Sequence, residues 1–293
     1  MAQTQTNIDV TDPLGSGWMI IAAAMFALMC ALVKHTSSEF QFGANELVFW
    51  RTLFSVLVLG SISLVKREQF ATPYFKEHIS RGIAGTLGMV LFFYGITHLP
   101  LATAVTLNYT SPIFLALLSF FVLKEKISLY TQAMLVLGFM GIVVLLRPTF
   151  AAGQEIDGLI SLSAGLCAGW AYLKVRELSL LGEPGWRVVL YFSVVATIMT
   201  AILATFDGWT PVTLSSLPYL LALGLTAMIG QLSLTRAYKV GQKFTVASLS
   251  YLTVVFSTLA GVLWLGDVIN WQEILGMSII MVSGILSSLY GNK

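Results

Sequence analysis

The sequence predicts an all-α integral membrane protein with ten transmembrane helices, arranged as a five-plus-five inverted repeat. Composition and an internal duplication support this prediction. The 293-residue chain is 57% hydrophobic and 10% charged, and its mean hydropathy is +0.84. An average soluble domain carries about 25% charged residues. We therefore expect the chain to fold within membrane lipid rather than around a water-soluble core.

Ten apolar segments have the length of about 20 residues that a helix needs to cross a bilayer. The predicted spans are 17–35, 44–65, 78–98, 101–123, 128–147, 158–179, 186–206, 216–238, 242–265 and 269–290. A polar stretch divides them near the centre of the chain. The predicted organisation is a disordered cytoplasmic tail (1–16), a first repeat holding helices 1 to 5 (17–147), a linker (148–157) and a second repeat holding helices 6 to 10 (158–293).

A duplication relates the fourth and ninth predicted spans. A shift of 142 residues superposes 101–127 on 243–269 without a gap, and it keeps a series of polar residues in register. The pairs include Asn108 with Ser250, Tyr109 with Tyr251, and Glu125 with Asp267. Polar groups in corresponding membrane helices of two repeats are typical of transporters. Because each half has an odd number of spans, the two copies are expected to be inverted across the membrane.

The distribution of lysine and arginine predicts the orientation. With a cytoplasmic N-terminus, thirteen of the 16 basic residues fall on the inner side. The thirteen include Arg81, near the start of the third span; the outer three are Lys34, Arg51 and Arg147. Basic residues concentrate on the cytoplasmic side of membrane proteins. The charges around the first span alone favour the opposite orientation, but the whole-chain count predicts that both termini are cytoplasmic.

Several segments resemble a known family. YGITHLPLATAVTLNYTSPIF running into FFVLKEKIS, and SLSYLTVVF running into LWLGDVIN, are similar to the EamA branch of the drug/metabolite transporter superfamily. The resemblance implies a helical carrier of the bacterial inner membrane, with alternating access around a central cavity. It also implies a small-molecule substrate, usually an amino acid or another small metabolite. The second copy departs from the pattern, with Val254 in place of the proline seen as Pro112, and Asp267 in place of the usual glutamate.

Polar and aromatic residues at membrane depth are the candidate substrate-binding groups, because a buried amide or hydroxyl needs a partner. The candidates are Arg51, Tyr94, Asn108, Tyr109, Trp170, Gln231, Ser250 and Tyr251. Arg51 lies about 12 Å into the second span at ~1.5 Å per residue. Its planar guanidinium suits a carboxylate, although its long stem also allows it to snorkel to the surface. Pro112 is a candidate hinge, with a simple packing kink as the alternative.

Enzymatic and metal chemistry find little support. The three histidines, His35, His78 and His98, lie at span ends without metal-ligand spacing. We therefore predict no catalytic residue, no metal and no cofactor. The net charge of +2 is too small to indicate nucleic acid, and Cys30 and Cys167 lie in apolar runs typical of packing residues.

The sequence therefore predicts a carrier that exports amino acids or related metabolites by alternating access, with export resting on the family resemblance. Two alternatives remain open at this point. One is an uptake carrier for a nucleoside, vitamin or other metabolite. The other, of a different class, is a membrane-embedded enzyme or a passive channel. The oligomeric state does not follow from the sequence.

Overall fold

A computed structural model describes residues 12–99, 101–148, 153–261, 263 and 270–290. In these ranges the chain forms α-helices and short connections, without a β-strand. An all-helical fold satisfies every backbone group within its own segment, as a hydrocarbon environment requires. The all-α prediction is confirmed. Asp267, which the duplication matches to Glu125, lies outside the described residues.

The described helices fall in the ten segments that the sequence predicts. Two of those segments are each interrupted near the middle and form two helices. The helices are α1 (Trp18–Phe40), α2 (Ala44–Val65), α3 (Phe75–His98), α4 (Leu101–Asn108), α5 (Ser111–Phe121), α6 (Leu129–Leu146), α7 (Glu155–Leu180), α8 (Gly185–Asp207), α9 (Leu217–Val240), α10 (Lys243–Leu249), α11 (Leu252–Ala260) and α12 (Trp271–Tyr290).

Within the described residues, eight helical segments are long and apolar enough to cross a membrane. By length and composition, the described residues therefore supply eight membrane spans, and the predicted ten are not confirmed. α3 is not among the eight, and its first two turns carry Lys76, Glu77, His78 and Arg81. The apolar part of α12, Trp271–Ser287, is shorter than the eight.

The helix contacts follow the duplication. α3 packs along α7 as α1 packs along α9, and α2 contacts α9 as α8 contacts α3. Exchanging the two halves of the chain thus exchanges one set of contacts for the other. α6 and α12, the last helices of each half, pack against each other so closely that a Cβ atom on Gly141 would lie 3.0 Å from the Gly276 carbonyl oxygen. Small residues allow such close approach between membrane helices.

The interruptions in the two broken spans occur at corresponding positions. The first lies at residues 109–110 and the second at 250–251, and the shift of 142 relates Tyr109 to Tyr251. In each break a backbone amide bonds to the carbonyl three residues earlier: Thr110 N donates to Leu107 O at 3.2 Å, and Tyr251 N donates to Ser248 O at 3.2 Å. This is the tighter hydrogen-bonding pattern of a 3₁₀ turn.

A proline is not required for this break. Pro112 follows the first break, whereas Val254 occupies the corresponding position after the second. In both breaks a hydroxyl bonds back to a carbonyl: Thr110 Oγ1 donates to Leu107 O at 2.5 Å, and Ser250 Oγ donates to Ala247 O at 2.6 Å. Such local bonds compete with the helical pattern and bend helices.

Ion pairs connect the two halves at the end of the bundle where α1, α3 and α10 begin. Arg236 of α9 pairs with Asp12 at 2.6 Å, and Lys243 of α10 pairs with Glu125, which follows α5. Asp12 belongs to the segment that the sequence assigns to the tail, and it also accepts a hydrogen bond from Trp18 Nε1 at 3.0 Å. The first described residue is therefore paired with α9.

Candidate functional site

Arg51 of α2 lies inside the helix bundle, with 9% of its surface exposed. Its guanidinium donates to two sulfur atoms, Met29 Sδ at 2.9 Å and Met89 Sδ at 2.5 Å, and its Nε atom has no partner. Thioethers are weak acceptors. Among the described residues no carboxylate lies within 4.0 Å of this charge. A buried charge so weakly compensated is costly, which makes Arg51 a candidate anion-binding residue.

Arg81 of α3 is a second buried arginine, 4% exposed. Its NH2 group donates to Gln231 Oε1 of α9 at 3.3 Å, and its guanidinium carbon lies 4.0 Å from the centre of the Phe192 ring. Its Nε and NH1 atoms have no partner. The sequence analysis places Arg81 on the inner side, near the start of the third span. The structure adds that its side chain is buried in the bundle.

Arg51, Arg81 and Gln231 form what we call the arginine site. Arg81 NH1 lies beside position 85 of α3, and Arg51 NH2 lies 2.5 Å from Met89 Sδ, one helical turn further along the same face of that helix. Gly85, one helical turn after Arg81, leaves room for its side chain, because a Cβ atom there would lie 2.2 Å from Arg81 NH1. Since α2 and α3 belong to the first half and α9 to the second, both halves contribute to one site.

α7 runs along the break between α4 and α5. A Cβ atom on Gly165 would lie 2.3 Å from Thr110 Oγ1, and one on Gly169 would lie 3.0 Å from the Ser111 carbonyl oxygen. Tyr172 of α7 stacks its ring on Tyr238 with 5.7 Å between the ring centres. Tyr109 sits in the break itself.

The remaining candidates around the two breaks differ in their surroundings. Asn108 is half-buried and ends α4. Ser250 is buried and its hydroxyl bonds within its own helix. Tyr251 is fully buried, packs in the cluster of α6, α11 and α12, and donates to Leu135 O at 3.4 Å. Tyr109, which corresponds to Tyr251 in sequence, is half-buried and packs against the same cluster.

Two aromatic candidates lie away from the arginine site. Tyr94 donates to Asp157 at 2.8 Å and stacks on His98, where α3 ends and α7 begins. Trp170 donates to Ser80 Oγ at 3.0 Å and lines an apolar groove that also includes Leu118. At 100° per residue, Trp170 and Tyr172 point about 160° apart around α7. Of the residues selected from the sequence, the structure thus places Arg51 and Gln231 in the arginine site, and Tyr109 beside the cluster that contains Tyr251.

A buried cluster that the sequence analysis missed surrounds Glu183, between α7 and α8. Its carboxylate accepts from Thr72 at 2.7 Å, lies 3.0 Å from His78 Nε2 and pairs with Arg187 at 3.1 Å. Burial raises the pKa of Glu183, but these hydrogen bonds together outweigh it and hold the pKa below its usual value. The sequence could not predict this cluster, because a single glutamate in a turn does not reveal its partners. The cluster joins the start of α3 to the second half of the chain.

Metal binding finds no support in the part of the chain that the structure describes. It contains no group of three or more His, Cys, Asp or Glu side chains able to hold a metal ion.

Glu46 of α2, the acidic residue nearest to membrane depth in the sequence, is 1% exposed. It accepts from the backbone amide of Thr210 at 3.1 Å. Glu46 thus holds the loop between α8 and α9 against α2.

Comparison with known proteins places this arrangement in a family. The model of the EamA-like transporter family matches residues 13–147 and 158–289, once in each half of the chain. The chain belongs to the EamA-like transporter family. The two matches confirm the repeat, and with the apolar helices they establish a multi-pass membrane protein of the drug/metabolite transporter superfamily.

Relatives of this EamA protein carry small molecules in different directions. The chain is 30% identical over 281 residues to the pseudopaline exporter CntI of Pseudomonas aeruginosa, covering 95% of this chain and 98% of that one. It is 23% identical to an S-adenosylmethionine uptake transporter of Rickettsia bellii, covering 97% and 96%. It is also 24% identical to human solute carrier family 35 member G1, covering 93% and 78%.

A solved structure supports the fold. It superposes on this EamA protein with a TM-score of 0.80 at 19% identity, covering 94% of this chain and 96% of that one. At this identity the likeness concerns the fold alone. Together the comparisons establish transport of small molecules and leave the substrate to the residues of the site.

Proposed function

We propose that this EamA protein exports small carboxylate-bearing metabolites, amino acids or related compounds, across a bacterial inner membrane. In this proposal ten spans form an inverted repeat, both termini are cytoplasmic, and access to the arginine site alternates between the two sides. The observation that carries the proposal is Arg51, a buried guanidinium whose hydrogen-bond partners are two thioethers. The similarity to an exporter at 30% identity supports the direction.

Binding follows from the chemistry of the site. A carboxylate that displaces the sulfurs of Met29 and Met89 gives Arg51 the two strong, charge-assisted hydrogen bonds that it lacks. Gln231 and Tyr109 offer an amide and a hydroxyl for the rest of the substrate. Among the other sequence candidates, Asn108 and Ser250 adjoin the two helix breaks. Corresponding breaks in both halves supply matched points at which the fourth and ninth spans bend. Pro112 is the proposed hinge residue of the first, although the bend itself does not depend on its ring.

Counterflow into liposomes loaded with an unlabelled compound tests the proposal. Truncating one partner of a buried charged pair costs about 2–5 kcal/mol, which corresponds to roughly 30- to 4,000-fold in affinity. We expect Arg51→Ala to lose transport of an amino acid by this order, and Arg51→Lys to retain part of it. Transport of the corresponding amino amide should change much less, because the amide carries no carboxylate charge.

Arg147→Ala is the matched control, since Arg147 is exposed at the end of α6. If Arg51→Ala reaches normal levels and affects acid and amide equally, Arg51 does not bind the carboxylate. Flux that neither saturates nor counter-exchanges would indicate a channel instead. Substrate accumulation in inside-out vesicles would support export, whereas accumulation only in right-side-out vesicles would support uptake.

A further inference from the structure

We infer that the arginine site binds a dianion, a ligand whose two negative charges engage Arg51 and Arg81 at the same time. This inference rests on the proposed function and narrows its substrate class. A single carboxylate is sufficient for transport as proposed above. The number of unpaired charges in the site calls for a second negative charge.

The first argument is the balance of charge. Arg51 and Arg81 are 9% and 4% exposed, and their guanidinium groups lie beside positions 89 and 85 of α3, one helical turn apart on the same face. Neither has a carboxylate within 4.0 Å among the described residues. A monoanion neutralises one guanidinium and leaves the other uncompensated in a buried place. A dianion compensates both and also removes their mutual repulsion.

The second argument is the inventory of hydrogen-bond donors. A guanidinium has five N–H donors. Arg51 uses its donors on two sulfur atoms. Arg81 uses one on Gln231 Oε1, at the long distance of 3.3 Å, and leaves two nitrogen atoms without a partner. Each arginine therefore has N–H donors that lack a strong acceptor. Together the two arginines can bind two acidic groups.

The third argument concerns what the site lacks. The described partners of the two arginines are neutral: Met29, Met89, Phe192 and Gln231. The ammonium group of a zwitterionic ligand would find no carboxylate among them. A ligand with two net negative charges therefore fits the field of the site better than a zwitterion does.

Two kinds of ligand share this chemistry. A dicarboxylate carries its charges on separate groups, one for each arginine. A phosphate monoester carries both charges on a single group placed between them. A series of dicarboxylates from malonate to adipate, beside glycerol 3-phosphate, distinguishes the two. A preferred chain length indicates two separate acid groups, and a preference for the phosphate ester indicates one shared group.

The test measures binding to the purified protein in detergent, from the dependence of its unfolding temperature on ligand concentration. Ligands that bind only the folded state raise this temperature. We expect the best diacid to bind at least about tenfold tighter than its half-amide, the difference of ~1.4 kcal/mol that one charged contact supplies. Arg81→Gln should bind the diacid and the half-amide alike, whereas Arg147→Gln should keep the preference.

The inference is overturned if the unaltered protein binds diacid and half-amide equally, if no dianion binds, or if Arg81→Gln retains the preference. The comparison of diacid and half-amide binding to the unaltered protein tests the inference even if Arg81→Gln fails to fold. Counterflow of monocarboxylates without any preference for dianions would leave the proposed function standing and this inference refuted. Binding of dianions without transport of any carboxylate would support this inference and refute the proposed function.

Discussion

Gly165 of α7 lies against the break between α4 and α5, so a single methyl group there tests the packing of this region. A Cβ atom on Gly165 would lie 2.3 Å from Thr110 Oγ1 and 2.9 Å from the Leu107 carbonyl oxygen. The hydroxyl already bonds to that same carbonyl, and the carbonyl belongs to the backbone. Neither atom can move away without shifting the end of α4 from α7.

Gly60→Ala is the matched control for Gly165→Ala. Gly60 is a mid-helix glycine of α2 whose added Cβ would meet no atom within 4 Å. Replacing glycine by alanine in a helix gains about 1 kcal/mol from the backbone alone, and both variants share this gain. Overpacking costs about 1–3 kcal/mol, and only Gly165→Ala incurs it.

The assay is thermal unfolding of the two purified variants in one detergent. A difference of about 1–3 kcal/mol corresponds to about 2–12 °C for a chain of roughly this size, so Gly165→Ala should melt below Gly60→Ala by that amount. If Gly165→Ala melts at or above the temperature of Gly60→Ala, α7 does not press on the break as described.

Three further predictions concern the hinge, the orientation and the effect of pH. Pro112→Ala should retain counterflow within about threefold, because Val254 follows the corresponding break without a proline; a near-complete loss would make Pro112 an essential hinge. A single cysteine at Lys124 should be shielded from an impermeant thiol reagent in intact cells and one at Glu155 labelled, and the reverse pattern would invert the topology. Because the pKa of Glu183 is lowered in the folded protein, its stabilising contribution is present above the ordinary glutamate pKa and is lost as the pH falls through the lowered value. The unfolding temperature should accordingly fall on acidification in the unaltered protein and less in Glu183→Gln, and equal pH dependence in both would contradict the role of this cluster.

The sequence by itself determined the helical segments and the repeat. Hydrocarbon requires every backbone group to bond within its own helix, so apolar segments of sufficient length become helices whatever their neighbours are. The polar series around Asn108 and Ser250 marked the duplication for a similar reason, because it stands out within apolar segments. Arg51 and Gln231 were identified as candidates because their distance from the helix ends gives their depth directly.

Only the tertiary structure decided which polar side chains meet. Distance along a helix fixes the depth of a residue, but the direction of its side chain has meaning only relative to the helices that pack around it. Arg81 lies near the start of α3 and counted in the sequence only toward the orientation, yet the packing of α3 against α8 buries it beside Phe192, within hydrogen-bond distance of Gln231 on α9. Tyr109 and Tyr251 correspond in sequence, and the packing of the two halves brings them to one cluster, in which Tyr251 is fully buried and Tyr109 only half-buried.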